Sequence, residues 1–133
     1  MKILIVEDEF MPAYSLALTL QSAGHQPVGP AASADEAMLF AQVDPPELAF
    51  VDIKLEGERD GIDVARALAD EHGTTCVFLT EQVERARLAQ GAAIGVIAKP
   101  YDPRDLLRSV DVIAAIRQGA LPSAVPDRLE LFR

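Results

Sequence analysis

The chain has 133 residues, of which 50% are hydrophobic and 25% are charged, and its formal net charge is −9. This length and composition are typical of one soluble domain with a single core, and they exclude disordered and fibrous classes. Because the chain is acidic and has no Lys/Arg cluster, neither nucleic acid nor an anionic membrane surface is an expected partner. A single cysteine, Cys76, and the lack of a long apolar segment indicate a cytoplasmic protein without disulfides or a membrane anchor.

Short apolar segments alternate with helix-length segments along the chain, a pattern typical of strand–helix units around a parallel sheet. The predicted pairs are Ile3–Val6 with Met11–Ala23, Gln26–Ala31 with a helix capped by Ser33, Leu48–Val51 with Ile62–Glu71, Val77–Leu79 with Val83–Gln90, and Ile94–Ala98 with Leu106–Arg117. Two helix starts carry capping signals. Glu36 follows Ser33 by three residues, and Asp102 precedes Pro103.

Five such units predict an α/β fold, a doubly wound five-stranded parallel sheet with helices on both faces in three layers. Because crossovers are right-handed, we predict the strand order 2-1-3-4-5. In this order the first and third strands are neighbours, so their carboxyl ends share one crevice. We expect residues 1–118 to form the domain. Residues 119–133 form a short tail, with Pro122, Pro126 and the apolar residues Leu129, Leu131 and Phe132, which either docks or frays.

Acidic side chains follow two of these neighbouring strands. Glu7, Asp8 and Glu9 come directly after the first strand, and Asp52 follows the third. Three carboxylates at adjacent strand ends repel one another and need a compensating cation, for which Mg²⁺ with oxygen ligands is the natural candidate. An acid at a strand end is by itself more often a helix cap or a solvent-exposed group, and we keep that interpretation for Glu9. The convergence of Glu7, Asp8 and Asp52 favours a metal site.

Two further predicted strands deliver polar groups to the same edge of the sheet. The fourth strand is followed by Thr80 and the fifth by Lys99. Taken alone, Thr80 is readily explained as a helix cap, and a lone lysine such as Lys99 is more often a solvated surface charge. Together with Asp52 as a nucleophile and a bound metal, a hydroxyl and an ammonium are the groups that an incoming phosphoryl group requires.

With these features the chain resembles, over residues 1–118, the receiver domain of response regulators in bacterial two-component signalling, in particular single-domain CheY-like proteins. The segments that carry the resemblance are IVEDE at 5–9, FVDIKL at 50–55, DG at 60–61, FLT at 78–80 and AKPY at 98–101. Each segment alone is a weak signal, whereas all of them in order on predicted strand ends are specific. The resemblance implies a flavodoxin-like and CheY-like (βα)₅ fold.

The resemblance also assigns roles to the acidic residues. It implies that Asp52 is the phosphorylation site and that Asp8, Asp52 and the backbone carbonyl of Lys54 are ligands of Mg²⁺. Glu7 would act on the metal through water. The protein is then a phosphoacceptor rather than an enzyme, one that assists its own phosphorylation and slow dephosphorylation.

By the same resemblance, Thr80 and Lys99 contact the phosphoryl oxygens and couple them to the surface formed by the fourth helix, fifth strand and fifth helix. Val96 stands where many receivers carry an aromatic switch residue, so the usual threonine–aromatic coupling is not expected. Glu81 replaces the usual small residue after the threonine and is expected at the rim of the crevice. The span from Thr80 to Lys99 is short, which indicates a trimmed loop before the fourth helix.

Several other classes with this topology fit the sequence less well. A flavodoxin-like carrier needs a phosphate-binding loop after the first strand, where Glu7–Glu9 would repel phosphate, and no Gly-x-Gly-x-x-Gly motif follows a strand. An aspartyl-phosphate hydrolase is expected to have an acid at the position of Lys54. One alternative remains, a receiver-like protein-binding module that no longer depends on phosphorylation. Glu81 and Val96 leave it open, whereas the intact set of site residues argues against it: Glu7, Asp8, Asp52, Thr80 and Lys99.

The function that we predict is that of a stand-alone receiver in the cytoplasm, which accepts a phosphoryl group on Asp52 in a Mg²⁺-dependent manner. The implied partners are a sensor histidine kinase or a histidine phosphotransfer protein, and a downstream protein target. A second copy of the chain, in a homodimer, is a further candidate partner.

Overall fold

The structure is a computed structural model that describes residues 1–121 and 124–132. Its strands are β1 (Lys2–Val6), β2 (Gln26–Ala31), β3 (Leu48–Val51), β4 (Thr75–Thr80), β5 (Gly95–Ala98) and β6 (Leu129–Leu131). Its helices are α1 (Phe10–Ser22), α2 (Ala34–Val43), α3 (Gly61–His72), α4 (Val83–Leu88) and α5 (Pro103–Arg117), with a 3₁₀ helix at Gln90–Ala92. Every predicted strand and helix is present. β2 and β3 have the predicted bounds, and the other elements differ from theirs by up to three residues at one or both ends. Within the described ranges no helix is long and apolar enough to cross a bilayer.

All six strands belong to one sheet, in the order β2-β1-β3-β4-β5-β6. The first five strands are parallel, which confirms the doubly wound α/β fold and the order 2-1-3-4-5. β6 is an addition to the predicted sheet: this part of the tail docks, antiparallel to β5, with Leu129 opposite Ile97 and Leu131 opposite Gly95. Pro122, in the same predicted tail, lies outside the described residues.

β1 shows why the sheet is covered on both faces. Leu4 and Val6 pack into a core cluster shared with α2, α3 and α4, while Ile3 and Ile5 pack into a second cluster shared with α1 and α5. Successive side chains of a strand point to opposite faces, so a strand that is apolar throughout is stable only between two layers of helices. Cys76 is buried in the first cluster, where burial raises the pKa of its thiol to about 12.

The capping signals in the sequence mark true helix starts. The Ser33 hydroxyl accepts a hydrogen bond from the Glu36 amide at 3.2 Å at the start of α2. The Asp102 carboxylate accepts one from the Arg104 amide at 2.8 Å, and Pro103 is the first residue of α5. Each cap satisfies an amide that has no partner within its own helix.

The short span between Thr80 and Lys99 affects both the loop and the helix. Only Glu81 and Gln82 separate β4 from α4, in keeping with the trimmed loop that the sequence indicates. α4 itself ends at Leu88, earlier than predicted, and Ala86 is its one buried residue. A helix with so little buried apolar surface depends on polar contacts for its position.

Candidate functional site

The predicted carboxylate cluster forms where β1 and β3 end side by side. The Asp52 amide donates a hydrogen bond to the Val6 carbonyl at 2.9 Å and holds the two strand ends together. Glu7, Asp8 and Asp52 each offer one carboxylate oxygen, and these oxygens lie within 4.8 Å of one another. The donor type and spacing match a site for a hard divalent cation.

The Lys99 side chain reaches into this cluster from the end of β5. Its ammonium donates a hydrogen bond to Asp52 Oδ2 at 3.1 Å and forms a second ion pair with Glu7. All three side chains are largely shielded from solvent, with exposed fractions of 16% for Lys99, 13% for Asp52 and 6% for Glu7. The ammonium therefore bridges an acid from each of the two neighbouring strands.

Burial and charge have opposing effects on the pKa of Lys99 and on that of Glu7. Burial of the Lys99 ammonium favours its neutral form, but its hydrogen bonds and charge interactions with Glu7 and Asp52 outweigh burial and raise its pKa. Burial also raises the pKa of the Glu7 carboxyl, against the opposing influence of Lys99 and of the Glu9 amide. Lys99 is thus held as a cation beside the Asp52 carboxylate.

Thr80 lies at the same edge of the sheet, at the end of β4. It is 1% exposed, and the Lys99 amide donates a hydrogen bond to its carbonyl at 3.0 Å, so the ends of β4 and β5 are adjacent. The Thr80 hydroxyl accepts a hydrogen bond from the Gln82 amide, also at 3.0 Å, directly before α4. Thr80 consequently connects the crevice to the start of α4.

The remaining predicted residues lie at the rim. The Lys54 amide donates a long hydrogen bond of 3.4 Å to Asp52 Oδ1, and the role of the Lys54 carbonyl as a metal ligand stays a prediction. Glu9 is exposed at the N-cap of α1, without a side-chain capping bond, which agrees with its assignment as a solvent-facing acid.

Asp60 and Gly61 are site residues whose roles the sequence did not reveal. The Asp60 carboxylate caps α3 by accepting hydrogen bonds from the amides of Ile62 and Asp63. A Cβ atom at Gly61 would lie 1.9 Å from the carbonyl oxygen of Asp52, so only glycine allows α3 to start this close to β3. The motif DG was the available signal, but the close contact behind it depends on the tertiary fold.

Comparison with known proteins agrees with this geometry. The sequence model of the response regulator receiver domain matches residues 3–111. The chain belongs to the response regulator receiver family. Receivers of this family are phosphoacceptors of two-component systems rather than classical enzymes, and they interact with histidine kinases and downstream targets.

Individual relatives of this receiver are known in sequence and in structure. It is 34% identical over 116 residues to the transcriptional regulatory protein PdtaR of Mycobacterium tuberculosis, covering 84% of this chain and 55% of that protein. The chain thus spans about half the length of this curated relative. The signal receiver domain of a modulated diguanylate cyclase from Desulfovibrio desulfuricans is 32% identical with a TM-score of 0.80, covering 88% of this chain and 95% of that one. A CheY-like receiver from Methanospirillum hungatei has the same TM-score at 26% identity, covering 89% and 96%.

Two residues set this receiver apart from the expected pattern. The first is Val96, a valine where an aromatic residue is common; it is 1% exposed and is part of the core between β5 and α4. Glu81 is exposed beside Thr80, as expected for a residue at the rim, and it precedes the α4 N-cap Gln82. It therefore lies outside the first turn of α4, where an acid would interact most favourably with the helix dipole.

Proposed function

We propose that this receiver accepts a phosphoryl group on Asp52, in a Mg²⁺-dependent manner, from a histidine of a sensor kinase or a phosphotransfer protein. The resulting change is passed on through protein–protein contacts. The observation that carries the proposal is the convergence of Asp52 with Glu7, Asp8 and the Lys99 ammonium at one edge of the sheet. This set of groups supplies a nucleophile together with positive charge and metal ligands for a phosphoryl group.

The chemistry is a displacement at phosphorus. A carboxylate oxygen of Asp52 forms the new O–P bond while the bond from phosphorus to the imidazole nitrogen of the donor breaks, and the imidazole leaves with the electron pair. Lys99 and Thr80 position the phosphoryl oxygens through charge and hydrogen bonding. The same groups assist slow hydrolysis of the acyl phosphate, which returns Asp52 to a carboxylate.

The metal proposal depends on the donor set at this edge. Asp8, Asp52 and the Lys54 carbonyl would hold Mg²⁺, with Glu7 acting through water, because this ion prefers oxygen ligands and keeps several waters. When bound, the ion neutralises negative charge on the phosphoryl oxygens. Lys99 already balances part of the acidic charge, which explains how the cluster is tolerated next to a buried core.

The proposal is tested by incubating the protein with acetyl phosphate and Mg²⁺ and following its intact mass. We expect the mass of one phosphoryl group to be added, and chelation of Mg²⁺ to prevent the addition. If no phosphoryl group is gained from acetyl phosphate or from a histidine-phosphorylated donor, the alternative gains weight. That alternative is a receiver-like binding module that works without phosphorylation, favoured by the exposed Glu81 and by Val96 in place of an aromatic residue.

Mg²⁺ should stabilise the folded protein, because the acidic cluster exists only when β1 and β3 are paired. At about ten times its Kd, a ligand that binds only the folded state adds about 1.4 kcal/mol to the free energy of unfolding. For a domain of this size, Tm then rises by roughly 5 °C. Asp8→Ala should remove most of this rise, as measured by thermal unfolding with and without Mg²⁺. Glu9→Ala is the matched control, since it removes a neighbouring exposed acid. If Mg²⁺ raises the Tm of Asp8→Ala as much as that of the parent, Asp8 is not a ligand of the metal.

A further inference from the structure

The outer edge of β5 is covered by the C-terminal segment of the chain, which lies beyond the residues that match the receiver family. Side chains of this segment alternate between the two faces of the sheet. Leu129 and Leu131 pack into the core with α5, and Phe132 packs into the core on the side of α4. The Phe132 amide donates a hydrogen bond to the Ile94 carbonyl at 2.8 Å and extends the pairing beyond β6. β6 therefore fills the groove along β5 between α4 and α5.

An ion pair ties the same segment to α4. The Arg87 guanidinium donates to both carboxylate oxygens of Glu130, from Nε at 3.0 and 3.1 Å and from Nη2 at 2.8 Å. Both side chains are partly exposed, so the ion pair contributes only modestly to stability. It does select an acidic side chain at the β6 position that faces Arg87. A three-residue strand held in this way is among the weakly bound parts of a fold.

Gly95 shows that the edge is shaped for a strand. A Cβ atom at this position would lie 2.4 Å from the carbonyl oxygen of Glu130, and the three atoms nearest to it all belong to β6. A side chain at Gly95 would therefore collide first with the backbone of β6, so glycine is needed here for a strand to pair with this edge. The φ angle of Gly95 is not positive, so its backbone conformation is open to other residues and does not by itself explain the glycine.

Two connections lead from the phosphorylation site to this groove. Ile97, the last β5 residue paired with β6, is two residues before Lys99, whose ammonium contacts Asp52. The Thr80 hydroxyl holds the Gln82 amide at the start of α4, and α4 carries Arg87. A phosphoryl group on Asp52 would take over the Lys99 ammonium, which now bridges Asp52 and Glu7, and would accept a hydrogen bond from the Thr80 hydroxyl; both changes would shift the end of β5 and the start of α4. β6 is bound to these same two elements.

We propose that the edge of β5 is a strand-docking surface for a partner protein, and that β6 occupies it until Asp52 carries a phosphoryl group. The inference rests on the proposed function of Asp52. Once β6 leaves, the unpaired amides and carbonyls of the β5 edge are a template on which a new strand can pair. The partner segment that fits is extended, with an acidic residue facing Arg87 between two apolar residues, because that is the chemistry of the strand now bound.

Hydrogen exchange of the full chain tests the release of β6. We expect beryllofluoride with Mg²⁺, which mimics the phosphoryl group, to lower the protection of the Phe132 amide at least roughly tenfold. The Ile94 amide, bonded to the Cys76 carbonyl inside the sheet, should keep its protection and serves as the internal control. If the amides around Asp52 do not respond to beryllofluoride, the proposed function itself fails. If they respond while Phe132 stays protected, the inference is overturned.

A labelled peptide with the sequence of residues 126–132, PDRLELF, tests the docking surface in the full chain. Fluorescence anisotropy should show at least roughly tenfold tighter binding with beryllofluoride than without it. Glu130→Gln weakens the resident strand and leaves the edge intact, so peptide binding without beryllofluoride should improve roughly threefold. Asp35→Asn, which also removes one acid from an exposed ion pair but does so in α2, next to the opposite edge of the sheet, is the matched control and should leave binding unchanged.

Gly95→Ala separates the two parts of the inference. The added methyl group should release β6 without any phosphoryl mimic, and it should also block the peptide, since both strands need the same space. If Gly95→Ala binds the peptide with the same affinity as the parent, the edge of β5 is not the docking surface. An activated parent that dimerises in light scattering and does not bind the peptide would overturn the partner assignment, because a second copy would then occupy the edge. Should Gly95→Ala fail to fold, hydrogen exchange of the parent still tests the release of β6, and peptide binding by Glu130→Gln still tests the docking surface.

Discussion

Asp52→Asn should take up no measurable phosphoryl group from acetyl phosphate in the presence of Mg²⁺. The amide keeps the shape of the side chain but removes the anionic oxygen that attacks phosphorus. Intact-mass measurements over the course of the reaction provide the check. Uptake at the rate of the parent would show that the phosphoryl group is attached elsewhere, and Asp52 would no longer be the phosphorylation site.

The same variant should remain folded, which keeps the result interpretable. Asp52 shares the Lys99 ammonium with Glu7, so Lys99 retains an acidic partner when the Asp52 charge is removed. Loss of one carboxylate also reduces repulsion within the acidic cluster. In the absence of Mg²⁺, the Tm of Asp52→Asn should therefore be close to that of the parent. Glu81→Gln, which removes an exposed acid at the rim, is the control for the change in net charge, and its phosphorylation should continue.

The five parallel strands could be predicted because each is a short apolar segment followed by a helix-length segment. Buried parallel strands have this composition, and right-handed crossovers leave few strand orders. β6 could not be predicted in the same way, since Leu129–Leu131 is too short for a periodic signal. It forms because Gly95 leaves room for its backbone and Arg87 pairs with Glu130, and both contacts join residues far apart in sequence.

The candidate site was predictable to the extent that strand ends determine position. Glu7, Asp8 and Asp52 follow adjacent strands, so their proximity follows from the strand order alone. The ion pair between Lys99 and Glu7 was not predicted, because it depends on the direction of a long side chain across the crevice. The roles of these residues in phosphoryl transfer and metal binding stay predictions that the proposed experiments test.

Gly61→Ala should damage both the fold and the site, since the space for the new methyl group is already filled by backbone atoms. The added Cβ would lie 1.9 Å from the Asp52 carbonyl oxygen, 2.7 Å from the Asp52 carbonyl carbon and 2.8 Å from Ile53 Cα. The Gly61 amide also donates a hydrogen bond to the Ile53 carbonyl at 2.7 Å, so α3 cannot move away without breaking it. We expect the free energy of unfolding to fall by about 3 kcal/mol, which lowers Tm by roughly 10 °C.

Gly91→Ala is the matched control, because it makes the same chemical change at an exposed position of the 3₁₀ helix, where the added carbon meets no atom within 4 Å apart from those of the adjacent chain. Its Tm should stay equal to that of the parent or rise slightly, as the unfolded chain loses conformational freedom. Under conditions where Gly61→Ala remains folded, its phosphorylation by acetyl phosphate should slow at least roughly tenfold, because a shift of about 1 Å in a reacting group is costly. If Gly61→Ala unfolds and reacts like Gly91→Ala, the contact between α3 and the end of β3 does not position Asp52.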